Sequence, residues 1–124
     1  IERALALAIE YVKQRQAFGK KIIEFQNTQF VLAECKSEAT IGRVFHDHCI
    51  ERYLDGALDT VTASMAKYWL TDLQGKIIDR CLQLFGGYGY MEEFPISRMY
   101  RDARVMRIYA GTNEIMKVVI ARSL

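Results

Sequence analysis

Apolar residues recur along most of this chain every three or four positions, the spacing of one face of an α-helix. Leu5, Ala8, Ile9 and Val12 mark such a face over roughly residues 1–16. Phe18-Gly19 is expected to close that helix, because glycine readily takes the left-handed conformation found at helix ends. From Gln26 to Leu54 a longer seam runs through Val31, Cys35, Ala39, Gly42, Phe45, Cys49 and Tyr53. The turn signal Asp55-Gly56 stops it. A third helix is expected from about Asp59 to Phe85, with Leu70, Leu73, Ile77, Cys81 and Leu84 as its stripe. Asp59 or Thr60 can cap its start. The run Gly86-Gly87-Tyr88-Gly89 ends it, since glycine in a helix interior is costly. Pro95 suits the first turn of a short helix reaching Ala103. Thr112 can cap a last helix carrying Ile115, Met116, Val119 and Ile120. Glu114 in its first turn and Arg122 in its last both favour the helix dipole.

No alternating stretch of useful length suggests a strand. The expected fold is all-α, an antiparallel four-helix bundle forming a single domain over residues 1–124. Ile1 is not an initiator methionine, and no capping residue precedes the apolar pattern. The chain is therefore expected to open inside a truncated N-terminal helix, as a piece of a longer protein.

Composition narrows the function little. The chain has 124 residues, 51% hydrophobic and 26% charged, with a net charge of +2. That charge is too small to argue for nucleic acid, and no apolar run is long enough to cross a bilayer as a helix. Cys35, Cys49 and Cys81 are odd in number and far apart, which argues for buried free thiols rather than disulfides or a zinc site. His46 and His48 sit two apart, so a helix would splay them to different faces.

Four polar places could carry chemistry. At Arg15-Gln16-Ala17-Phe18-Gly19-Lys20, a planar cation suits a diphosphate and Phe18 offers a stacking surface. Alternatively, Arg15 satisfies helix carbonyls and Phe18 plugs the core. At Gln83-Leu84-Phe85-Gly86-Gly87, bare backbone can approach a ligand, or the glycines simply stop a helix. At Gly111-Thr112-Asn113-Glu114, a helix N-terminus gathers free N–H groups suited to phosphate or a thioester carbonyl, or is only a cap. The run Arg98, Arg101, Asp102, Arg104 and Arg107 reads most simply as a salt-bridged surface.

Taken in order, Arg-x-x-Phe-Gly-Lys, Leu-Phe-Gly-Gly-Tyr-Gly-Tyr, Arg-Asp-Ala-Arg and Ile-Tyr-Ala-Gly-Thr-Asn-Glu resemble the C-terminal helical domain of acyl-CoA dehydrogenases over essentially the whole chain. The resemblance implies an FAD enzyme that oxidises an acyl-CoA thioester to the 2-enoyl-CoA and passes its electrons to an electron-transfer flavoprotein. It implies a homodimer or homotetramer, in the bacterial cytoplasm or the mitochondrial matrix. It also implies that Arg15 and Phe18 contact the diphosphate and adenine side of FAD, and that Gln26 is another flavin contact. Gln83, Leu84, Phe85, Gly86 and Gly87 would reach FAD from a neighbouring subunit. Thr112 and Glu114 would contact flavin, although some relatives carry glutamine at the latter position. Tyr109 and Gly111 would face the acyl substrate.

Ala110 departs from the pattern. In many members this position holds the glutamate that removes the substrate proton, and alanine cannot accept one. In the long-chain and isovaleryl types the base comes from further back and the loop position is small. By that match no catalytic base lies in this chain, and the glutamate falls upstream of Ile1. Glu2 and Glu10 miss the matching offset and read as surface charges. The isolated segment is then expected to be inactive. The competing reading is a family member kept as a non-catalytic oligomerisation or binding bundle.

Overall fold

A computed structural model describes residues 1–124 and contains five α-helices: α1 (Glu2–Gln14), α2 (Gln26–Leu54), α3 (Thr60–Phe85), α4 (Pro95–Arg104) and α5 (Asn113–Ala121). The helix α3 is the spine, packing against each of the other four. Its pairing with α2 is antiparallel: Arg80 meets Glu34, while Lys76 lies 2.5 Å from Glu38. Gly42 permits the close approach of α2, because a Cβ there would come within 2.8 Å of Leu73. The largest completely buried side chains are Val12 on α1, Cys35 on α2, Ile77 and Cys81 on α3, and Ile96 on α4, so the core draws on four helices. All three cysteines are buried free thiols, as their spacing implied.

Several expected boundaries hold for the expected reasons. The Asp59 side chain accepts from the Thr62 N–H at 2.8 Å and so caps α3. Thr112 does the same for α5 through the Ile115 N–H at 3.3 Å. Pro95 occupies the first turn of α4. Tyr53, placed on the α2 seam by its spacing, is instead 70% exposed, because the last turn of α2 overhangs the core.

The end of α1 differs from expectation. The helix stops at Gln14, and Arg15 is already extended. The next residues form a miniature hairpin, β1 (Gln16–Ala17) against β2 (Lys20–Lys21), with Gln16 opposite Lys21. Phe18 (φ 54°) and Gly19 (φ 79°) are its two-residue turn. Positive φ at both central positions matches the right-handed twist of a hairpin. Gly19 therefore turns a hairpin rather than closing a helix.

Candidate functional site

An aromatic column ties the ends of α1 and α3 together. The Tyr11 ring stacks on Phe85 at 4.2 Å, and its hydroxyl donates to the Phe85 carbonyl at 3.2 Å. Phe94 meets Phe85 edge-on at 6.0 Å and stacks on Tyr88 at 5.2 Å. The guanidinium of Arg15 covers the Tyr88 ring at 5.4 Å. Beside this column opens a groove of about 640 Å³, with Arg15 and Gln83 through Gly87 in its wall.

Two sequence motifs are thus brought into one place. Arg15 and the Gln83–Gly87 segment, read from sequence as serving a ligand from different subunits, line the same groove. Gly86 turns the chain there with φ 59°. Neither Gly86 nor Gly87 has any atom within 4 Å of where a Cβ would stand, so the backbone is bare on that side. Sequence reasoning did not assign Tyr11, Ile22, Tyr88 and Met91 to this wall. The aromatic spacing near the glycines was the available signal for Tyr88.

Phe18 stands at the hairpin tip, 97% exposed, with only an edge contact to Phe25 at 6.4 Å. It is no core plug. A bulky residue held at positive φ costs on the order of 1 kcal/mol, and here that strain presents a bare aromatic face. Gln26 is exposed in the first turn of α2.

The second constellation lies around residues 107–114. Ala110 has φ 52° and Gly111 φ 85°, so the chain reverses sharply before α5. The backbone N–H groups of residues 110–114 find no backbone acceptor. They cluster at the positive end of the α5 dipole. Tyr109, Ala110 and Gly111 are all exposed. The Glu114 carboxyl is held below the usual carboxylate range by its own backbone N–H and the Thr112 hydroxyl, with Lys117 and Lys67 adding to the effect.

Beneath this loop sits a polar network that sequence reasoning missed. Asn113 is buried, and its amide nitrogen donates to the Tyr68 carbonyl at 3.2 Å, Thr71 Oγ1 at 3.0 Å and Asp72 Oδ1 at 3.0 Å. Lys67 Nζ donates to Asn113 Oδ1 at 2.7 Å and to the Gly111 carbonyl at 2.6 Å. Arg107 reaches the Thr71 and Asp72 carbonyls, both at 3.4 Å. Its guanidinium fills the space that a side chain at Gly75 would take. Elsewhere in the arginine run, Arg101 pairs with Glu92 at 2.7 Å on the surface, and Arg98 donates to the Glu92 carbonyl at 3.4 Å. Glu2 is likewise a surface charge, 3.4 Å from Arg43, and Glu10 is exposed.

The family model for the acyl-CoA dehydrogenase C-terminal domain matches residues 1–124. This chain belongs to the acyl-CoA dehydrogenase family. It is 50% identical over 114 residues to the long-chain specific mitochondrial acyl-CoA dehydrogenase of Rattus norvegicus, covering 92% of this chain and 26% of that protein. An acyl-CoA dehydrogenase from Geobacillus kaustophilus superposes with a TM-score of 0.95 at 50% identity, over 98% of this chain and 32% of that one. A chain in the structure of the electron transferring flavoprotein of Acidaminococcus fermentans superposes with a TM-score of 0.93 at 35% identity, again over 98% and 32%. This acyl-CoA dehydrogenase domain therefore spans about a quarter to a third of the length of its relatives. Those relatives are oxidoreductases from both mitochondria and bacteria. No helix here is long and apolar enough to cross a membrane.

Proposed function

We propose that this domain serves an FAD-dependent dehydrogenase that converts a long-chain or branched acyl-CoA to the 2-enoyl-CoA and hands its electrons to an electron-transfer flavoprotein. The observation that carries the reading is the groove in which Arg15 faces bare backbone at Gly86-Gly87. A fixed planar cation and a Cβ-free surface together suit the diphosphate and the flat rings of a dinucleotide. Because the two segments share one groove, they serve one ligand, and the whole groove faces it across a subunit boundary. Phe18 supplies a stacking face at its rim, and Gln26 a further polar contact. FAD held by these residues would supply the acceptor for the hydride that leaves the β-carbon.

The chain's own residues have separate tasks at the α5 end. The N–H groups of residues 110–113, which have no backbone acceptor, offer donors to the flavin and to the thioester carbonyl. Thr112 holds the loop in its capped form, and Tyr109 and Gly111 face the acyl group. Glu114, folded back on its own loop, orders that loop rather than touching phosphate. Ala110 leaves room for a carboxylate supplied from upstream of Ile1. Such a base, held in a dry pocket, has its pKa raised toward the working range.

Exposed apolar residues on α2, among them Phe30, Ile41 and Val44, are offered to a second copy in a homodimer or homotetramer. Sedimentation of the full-length protein tests that point. The function is tested by anaerobic titration of full-length protein with acyl-CoAs of graded length. Bleaching of bound flavin, with turnover dependent on electron-transfer flavoprotein, is the expected result. Bound flavin that no acyl-CoA reduces would favour the non-catalytic reading, which Ala110 also permits.

A further inference from the structure

Lys67 is used in an unusual way. It is a cation near the positive end of α5, where a helix dipole disfavours it. It forms no ion pair; its ammonium goes instead to the Gly111 carbonyl and the Asn113 side-chain oxygen. Both acceptors belong to the loop that precedes α5 or to its first turn, while Lys67 itself sits on α3. The loop is strained at Ala110 and has no backbone partner for its N–H groups, so something outside it must hold it.

The peptide unit between Gly111 and Thr112 is trans, and in a trans unit the C=O and N–H point in opposite directions. Lys67 pulls the carbonyl toward α3. The Thr112 N–H is thereby turned away from α3, toward the open side of the loop. A cation on the carbonyl oxygen also polarises the amide, making the same N–H a stronger donor. We infer that Lys67 is a positioning residue: it aims and strengthens the Thr112 N–H as a donor to an electron-rich oxygen of the bound flavin. Asn113 is its partner, locking Lys67 to Thr71 and Asp72 on α3.

This inference rests on the proposed flavin site, and its test separates the two. The full-length holoprotein is prepared as wild type, Lys67→Met, Lys67→Gln and Lys67→Arg. FAD affinity is measured by reconstituting stripped protein, the bound-flavin absorption spectrum is recorded, and kcat and KM are measured with a saturating electron acceptor. Loss of a charge-assisted hydrogen bond at a ligand-facing loop corresponds to about tenfold to hundredfold. Lys67→Met is expected to weaken FAD by that factor, to shift the flavin spectrum and to lower kcat more than it raises KM. Lys67→Arg is expected to recover most of the loss. If Lys67→Met does not fold, Lys67→Gln decides the matter, since it keeps a donor without the charge. A variant that only lowers the melting temperature, with FAD affinity, spectrum and kcat within twofold of wild type, overturns the role of Lys67. Wild-type protein that binds no FAD overturns the flavin reading itself.

Discussion

The guanidinium of Arg15 lies 5.4 Å from the centroid of the Tyr88 ring, joining the end of α1 to the turn after α3 across one groove. An exposed contact of this kind contributes only about 0.5–1 kcal/mol, so it accounts for little of the fold's stability. Replacing Arg15 with Ala in the full-length protein is expected to weaken FAD about tenfold to hundredfold while the melting temperature moves little. Lys restores the charge but not the planar fork, and should recover only part of the loss. Equilibrium binding of FAD to stripped protein is the measurement. Equal affinity in all three would remove Arg15 from the site.

Asn113 anchors the other constellation through hydrogen bonds to Lys67, Tyr68, Thr71 and Asp72. Truncation to Ala removes these bonds and leaves a polar gap beside buried Thr71, at a cost of about 2–4 kcal/mol. Denaturant unfolding should show this as a lowered midpoint. Thr112→Ala, which removes only a helix cap, should cost about 1 kcal/mol.

How much of this was legible in the sequence depends on whether the controlling interaction is local. The cap at Asp59, the cap at Thr112 and the proline start of α4 each depend on residues within one helical turn, and all three were readable. The hairpin at Gln16–Lys21 was not, because two-residue strands leave no alternation to detect. Phe-Gly also lacks the Asn or Asp that usually marks such a turn. The roles of Lys67 and Asn113 were invisible for another reason. They lie 46 residues apart, and an asparagine just inside a helix start ordinarily faces solvent. Ala110 was readable only by resemblance, since nothing about an alanine announces a site.

Core packing between α1 and α3 supplies the rigidity the groove needs. Ile77 is completely buried, and Ile77→Ala is expected to destabilise the fold by about 2–5 kcal/mol through lost burial and the cavity left behind. Tyr11→Phe keeps the ring stack and loses only the bond to the Phe85 carbonyl, at about 1 kcal/mol. A ratio of that kind between the two variants in chemical denaturation supports the packing described; equal effects would not.

Asp59 gives a pH signature. The Thr62 N–H and hydroxyl hold its carboxyl below the usual carboxylate range. A carboxyl depressed on folding stabilises the fold above its unfolded pKa and loses that effect as pH falls through the folded value. Asp59→Ala should therefore melt earlier than wild type at neutral pH, and the gap should close as the pH drops below about 4. Thermal melts across that range check it; a gap that persists at the lowest pH would mean the cap does not depend on charge.

Ala110 offers the most direct test of where the loop points. Its φ of 52° already carries strain that glutamate would share, so Ala110→Glu should cost little more in stability. What it adds is a carboxylate on the exposed side of the loop, where the resemblance places the base of many family members. If the loop faces the acyl α-carbon, the substitution changes the rate and shifts chain-length preference, because the added side chain takes space beside the thioester. Combining it with removal of the glutamate proposed to act from upstream of Ile1 separates the two effects: partial activity in the double variant would mean the new carboxylate takes the proton itself. Rates and chain-length profile unchanged from wild type in full-length Ala110→Glu would show that the loop does not face the substrate at all.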